Sequence, residues 1–125
     1  MPITHIHSGP DGQSHFDEID TPLHPAVERR TTSPYESTQI RITRFAPGHT
    51  QDFHNAPCRQ FVTVLSGRCE VTTDDGSAYR PGPGDTFFAN DMTGHGHTFR
   101  EVESPLELLT IPVRDDFDLA QWIQM

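Results

Sequence analysis

Basic residues are scarce: nine stand against eighteen acidic ones, for a formal net charge of −9. The summed field of such a chain repels phosphate backbones and anionic headgroups, so neither nucleic acid nor a membrane surface is an expected partner. Long hydrophobic runs are missing too, since no apolar stretch approaches the ~18 residues that span a bilayer. The opening MPITHIHSGPDG has no basic segment followed by an apolar one, which would mark a secretory signal. The expectation is a soluble, cytoplasmic protein. Cysteine is nearly absent. Cys58 and Cys69 are too few for a disulfide framework and are not spaced as a C-x-x-C motif, so both are expected as free thiols in a reducing compartment. No internal repeat or low-complexity segment appears.

What is present is punctuation. The 125 residues contain nine glycines and eleven prolines spread between short apolar stretches, a pattern of many strands joined by tight turns. A chain of this length supports one core, burying roughly 65 to 70% of its unfolded surface. Residues 1–35 carry Pro2, Pro10, Pro22, Pro25 and Pro34. Because proline donates no N–H, that region reads as an N-terminal arm pairing only at sheet edges, with HFDEIDTPL its best strand. From Thr38 the runs TQIRITRF, RQFVTVLSG, RCEVTTD, GSAYR, DTFFAND, GHTFREV and LELLTIPV follow at short intervals, which predicts an all-β sandwich or barrel over 36–114. Asp75-Gly76 suits a two-residue type I′ hairpin turn. The tail 115–125, with Phe117, Ala120 and Ile123 at helical spacing, reads as a short C-terminal helix.

Alternation along two of these runs leaves both faces apolar. Gln60, Val62 and Val64 share one side of their strand while Phe61, Thr63 and Leu65 share the other, and Phe87 and Phe88 point apart. A barrel wall buries one side only, so the outer face needs a cover: the N-terminal arm or a second subunit. A homodimer is the expectation that follows.

The eight histidines are His5, His7, His15, His24, His49, His54, His95 and His97. Imidazole near neutral pH ligates metals and moves protons, so a cluster of it needs an account. His5, His7 and His24 read as surface residues. The segment PGHTQDFHNAPCRQFVTVLSG places Gly48, His54 and Gly67 at the spacing of G-(x)5-H-x-H-(x)3-4-E-(x)6-G, with Ala56 at the second histidine position and Gln60 at the glutamate position. PGPGDTFFANDMTGHGHTF follows G-(x)5-P-x-G-(x)2-H-(x)3-N more loosely, putting His95 at the histidine, with His97 serving instead if the loop is longer. In an extended strand both would point the same way. On these motifs the chain resembles the cupins, whose fold is a double-stranded β-helix or jelly-roll barrel. Gly12-Gln13-Ser14-His15-Phe16, His54 through Gln60, and Asp91 through His97 are similar to a group of small single-domain bacterial cupins, and that resemblance favours His97.

The resemblance implies a small molecule in the barrel mouth and a divalent transition metal, Zn, Ni, Fe or Cu, held by His54, His97 and the amide oxygen of Gln60, with His95 as the alternative to His97. His49 or Asp52 would complete the set if the preceding loop folds inward. Three neutral ligands hold a metal weakly and leave its charge to attract an anion, and the two-histidine-plus-carboxylate set of iron oxygenases is not evident. Arg59 is a candidate carboxylate clamp, and His15 could reach a pocket if the arm crosses the barrel mouth. The expected function is metal-assisted or histidine acid–base chemistry on a small oxygenated or carboxylate compound, by an isomerase, lyase or oxygenase. The alternative is a metal-free, non-catalytic binding or sensing module.

Overall fold

Strand-forming runs divided by glycine and proline leave the chain little choice but a sheet, and the computed structural model describes one over residues 2–21, 32 and 34–123. The strands are β1 (Pro2–Ser8), β2 (Ser14–Asp20), β3 (Arg41–Arg44), β4 (Thr50–His54), β5 (Gln60–Thr72), β6 (Ala78–Tyr79), β7 (Thr86–Asn90) and β8 (His97–Pro112), followed by the helix α1 (Leu119–Ile123). They form one eight-stranded mixed sheet in the order β2-β1-β7-β5-β8-β3, with β4 on β8 and β6 on β5. The architecture is an all-β jelly-roll barrel. Among the described residues no helix is long and apolar enough to cross a membrane.

Two pairs of expected strands are continuous. RQFVTVLSG and RCEVTTD merge into β5, and GHTFREV and LELLTIPV into β8, and the two run antiparallel from Gln60↔Pro112 to Thr72↔Thr98. The ribbon is interrupted by register shifts between Val64 and Cys69, where bulges bend paired strands. Gly67 sits in that bend at φ 75°, and a Cβ there would collide with the backbone carbonyls of Glu103 and Pro105. The first half of β5 therefore lies against β7 and the second half against β6, so one ribbon serves both walls of the barrel.

The two apolar faces have separate fates. Val62, Val64, Val71, Phe87, Phe99, Leu106 and Leu108 pack inside the barrel with Ile6. Phe88 and Phe61 face outward and are covered by Ile3 of β1 and by Phe117, Leu119 and Trp122. The chain thus covers these positions itself, and the reasoning that called for a second subunit over Phe61 and Phe88 is met by the arm and the tail together. On the opposite wall Glu70 accepts hydrogen bonds from Arg100 Nε (2.8 Å) and from Arg80. Those two guanidinium groups, Arg100 first, hold its carboxyl below the usual carboxylate range.

Three expectations change. β1 is not an edge strand: it lies between β2, antiparallel, and β7, parallel. Pro2 falls at its first residue and Pro10 beyond its last, so every N–H the two ladders need is present; β2 takes the edge, while Pro22, Pro25 and His24 lie outside the described residues. The 71–79 hairpin forms, pairing Val71↔Tyr79 and Thr72↔Ala78, but its turn is not type I′, because only Gly76 has positive φ. Gly76 N–H instead closes on Thr73 O (3.0 Å) and Thr73 N–H on Ser77 O (3.0 Å), a longer loop ending in one left-handed glycine. The C-terminal helix begins at Leu119, with Asp118 Oδ1 accepting from the N–H of Ala120 (3.0 Å); Phe117 and Leu119 are buried and Ala120 is exposed.

Gly67→Ala should cost more than about 2 kcal/mol in denaturant unfolding, because positive φ and a backbone collision add. Gly48→Ala, at φ 78° with nothing within 4 Å of a new Cβ, should cost only about 1 kcal/mol. Equal losses would show that φ alone, and not the bend in the ribbon, sets the requirement at Gly67.

Candidate functional site

The barrel encloses a cavity of about 390 Å³. Its walls are apolar at Val62, Phe87, Phe99 and Leu108, and its polar lining includes His54, Gln60, His97, Arg41 and Thr110. Three residues picked out from the motifs, His54, Gln60 and His97, thus meet in one place. They come from three strands. His54 ends β4 and pairs directly with His97, the first residue of β8, while Gln60 opens β5. The imidazole ring centroids of His54 and His97 are 4.6 Å apart.

The glycines of the segment TGHGH make that approach possible. Gly94 and Gly96 both take positive φ, at 78° and 81°. A Cβ on Gly96 would overlap the His54 carbonyl, and one on Gly94 the Gly12 carbonyl. The loop is pinned from the other side by Asn55, whose amide donates to the carbonyls of Thr93 (3.0 Å) and Gly94 (3.1 Å). Bringing two imidazoles together across this loop therefore requires bare backbone at both positions.

Each imidazole is oriented through its Nδ1. His54 Nδ1 donates to the carbonyl of Asp52 at 2.8 Å. His97 Nδ1 donates to Asp91 Oδ2 at 2.5 Å, and Ser14 Oγ donates to the same oxygen at 2.6 Å. Asp91 is fully buried and its other oxygen, Oδ1, has no partner. With both Nδ1 atoms protonated, both rings carry their lone pair on Nε2, which has no partner among the described residues. Nitrogen anchored on one side and free on the other is how metal-ligating and proton-accepting histidines are held. Gln60 Oε1 accepts from the Cys58 thiol at 3.3 Å, which leaves the oxygen further acceptor capacity. The donor set of two imidazoles and one amide oxygen suits a borderline transition metal held without charge compensation.

The remaining candidates lie elsewhere. His95 is exposed, stacked on Phe53 with centroids 4.0 Å apart and paired with Asp74 at 2.5 Å. The turn at Gly96 breaks the extended geometry that would have aligned it with His97, so the alternative ligand is withdrawn. Arg59 is not a carboxylate clamp. Its Nε donates to Asn90 Oδ1 (2.9 Å) and its Nη1 to the carbonyls of Asp115 (3.0 Å) and Phe117 (2.9 Å), fastening the tail over Phe88. His15 does not line the cavity: its Nε2 meets Asp11 at 2.9 Å on the outer sheet. His49 packs against Phe45 and Phe99 behind the wall, and Asp52 is exposed, its carboxylate accepting from Phe53 N–H. Neither completes the set.

A second group, His5, His7 and Asp17, brings possible ligand atoms within 4.8 Å of one another on the β1–β2 face. Arg59 decides its character. Because Arg59 holds Asn90 Oδ1, the Asn90 amide nitrogen faces His5 Nε2 at 3.3 Å, which puts the lone pair there and the proton on Nδ1. That proton goes to Asp17 Oδ1 at 3.0 Å. The nitrogen facing Asp17 therefore has no lone pair to offer a metal. Burial holds the His5 pKa below the ordinary imidazole value, against the opposing pull of Asp17.

The motifs contained two residues whose roles only the fold reveals. Ser14 stands inside Gly12-Gln13-Ser14-His15-Phe16 and Asp91 opens the segment ending at His97; their shared hydrogen bonds join the two segments. Asp91→Asn would place an amide N–H₂ where Oδ1 is buried without a partner, costing about 1 to 3 kcal/mol in unfolding free energy. In the wild type ¹⁵N NMR should find His97 as the Nδ1–H tautomer, and in Asp91→Asn a mixture. An Nε2–H tautomer in the wild type would overturn the assignment.

The Cupin domain family model matches residues 41–112, and no curated protein matches the chain. Among solved structures, a conserved protein of unknown function from Streptococcus pyogenes, SPY1581, is 26% identical over 66% of this chain and 69% of its own, with a TM-score of 0.48. An RmlC-like cupin from Shewanella frigidimarina is 19% identical over 92% of this chain and 89% of its own, also at 0.48. A Cupin 2 conserved barrel domain protein from Leptotrichia buccalis is 22% identical over 65% of this chain and 44% of its own, at 0.42. The family match spans more than half of the chain, from β3 to the end of β8, and with it this protein belongs to the cupin domain family.

Proposed function

We propose that this cupin binds a small molecule in its barrel and acts on it through His54 and His97. The observation that carries the reading is the pair of imidazoles, each anchored at Nδ1 and open at Nε2, on the wall of a cavity of about 390 Å³. That volume lies within the range of small-metabolite sites. In the reading we favour, His54 Nε2, His97 Nε2 and Gln60 Oε1 hold one divalent transition metal, which when bound supplies a Lewis acid for a carbonyl or carboxylate oxygen. Where no metal is held there, His97 would instead take a proton at Nε2, because the imidazolium that forms is stabilised by Asp91 on the far side of the ring. The apolar walls limit water around a bound ligand, which strengthens every polar contact made there.

A metal-free reading is favoured by two features: among the described residues no aspartate or glutamate lines the cavity, and Ala56 occupies the position of a further ligand. There His54 and Gln60 would hydrogen-bond an organic ligand directly. Metal analysis of protein purified without a histidine tag separates the two. About one equivalent of Zn, Ni, Fe or Cu, lost in His54→Ala and His97→Ala while the circular dichroism is retained, supports the metal-bound reading; substoichiometric metal after resupply rejects it. If neither substitution changes metal content or small-molecule binding, the site assignment falls altogether.

A homodimer is our reading of the end strand, where Ile40 and Ile42 are 72% and 65% exposed beside an edge of β3 that pairs with no described strand. Sedimentation equilibrium should give twice the chain mass, and Ile42→Asp should lower it. A monomer at all concentrations would end the idea. A cytoplasmic location is supported by the free thiols Cys58 and Cys69, the latter pushed by burial up to about 12.

A further inference from the structure

A barrel strand normally turns its apolar residues inward and its charged residues to water. Over residues 40–43 the chain does the reverse, while Arg44 and Phe45 follow the rule. Arg41, Thr43 and Phe45 line the cavity, while Ile40 and Ile42 face out and are among the most exposed large apolar side chains of the described residues. A one-residue slip would turn both isoleucines inward and take Arg41, which is exposed at the cavity mouth, away from the cavity. The register instead pairs Arg41 with Thr110 and Ile42 with Leu109, and it keeps a guanidinium on the cavity wall.

Arg41 also differs from every other described arginine in having no partner among the described residues. Arg44 pairs with Glu107, Arg68 with Glu103, Arg80 and Arg100 with Glu70, and Arg114 with Asp116, while Arg59 holds backbone carbonyls of the tail. Acidic residues outnumber basic ones two to one in this chain, so an unpaired arginine is not the result of a shortage of carboxylates. Among the described residues no carboxylate lines the cavity. Directly across the ladder, Thr110 is buried, 7% exposed, lines the same cavity and makes no side-chain hydrogen bond to a described residue. A guanidinium fork and a neighbouring hydroxyl, both without partners among the described residues, at a cavity that no described carboxylate lines, match the recognition of a planar carboxylate.

We propose that Arg41, assisted by Thr110, binds the carboxylate of the ligand, so that the small molecule taken by this barrel is an organic acid with an apolar body lying against Val62, Phe87, Phe99 and Leu108. This rests on the barrel cavity being the ligand site. It replaces Arg59 as the anion clamp with a residue on a different strand. The carboxylate end is thereby placed beside β3, and the rest of the molecule is turned toward the polar wall at His54 and His97.

The test uses acid–amide pairs, butanoate with butanamide and benzoate with benzamide, titrated by ligand-observed NMR at low chloride into the full chain, with and without prior chelation. The acid of at least one pair should bind about 10- to 100-fold more tightly than its amide, the range for a hydrogen bond to a charged group. Arg41→Gln should remove that preference and leave amide binding unchanged. Arg41→Lys should keep part of it, and Thr110→Val should weaken acid binding by a smaller factor. Arg44→Gln, on the outer face of the same strand, should have no effect.

Equal binding of acid and amide, or a preference that survives Arg41→Gln, overturns the proposal. So does the absence of acid binding at concentrations on the order of ten millimolar. If His54→Ala and His97→Ala weaken both members of a pair while Arg41→Gln changes neither, the cavity reading stands and only the Arg41 assignment falls. If the preference depends on Arg41 and is indifferent to both histidines, the anion site stands without the imidazole chemistry.

Discussion

A single buried carboxylate, Asp91, holds together the parts of the chain that form the site. Its Oδ2 accepts from His97 Nδ1 and from Ser14 Oγ, and its backbone carbonyl accepts from the N–H of Ala56 and the amide of Asn55. Those partners come from the start of β8, from β2 in the N-terminal arm and from the loop after β4. A buried carboxylate is costly unless its acceptor capacity is used, so placing Asp91 inside obliges these three segments to converge on it. The orientation of His97, and with it the open Nε2 on the cavity, follows from that requirement.

Around this node the barrel separates two kinds of surface. The outer faces of β5 and β7 are closed by the arm and the tail, with Arg59 fastening the tail through backbone carbonyls. The inner faces leave a space that is apolar in its walls and is lined by no carboxylate of the described residues. In a protein of net charge −9, a cavity lined by a guanidinium and by no described carboxylate is an electrostatic exception, and the proposed anionic guest suits it. A neutral donor set would hold a metal loosely, so ligand and metal would reinforce one another's binding instead of the metal being locked in place.

The outer face of β3 and the cavity-lining face of the same strand express one choice of register. Had the strand obeyed the common apolar-in pattern, Ile40 and Ile42 would fill the space that Arg41 and Thr43 line. Departures from local consistency of this kind concentrate where a protein binds or reacts, and here the departure coincides with the cavity.

Much was legible in the order of residues alone. The spacing of glycine and proline between short apolar runs fixed an all-β chain, because strands of that length need such turns; the opposite faces of Phe87 and Phe88 followed from the period of two; and the motif positions of His54, Gln60 and His97 named residues that line one cavity. What the sequence left open depended on contacts between distant segments. Gly96, by its positive φ, separates His95 from His97; Arg59 is claimed by carbonyls fifty-odd residues further along the chain; β1 enters the sheet interior because its prolines fall at and beyond its ends. Ser14 and Asp91 are ordinary polar residues until the fold buries them against one another. Sequence determines which side chains share a face, since that is set by local backbone geometry, whereas which faces meet, and which charge is left without a partner, is decided only when the ribbon of β5 and β8 closes the barrel.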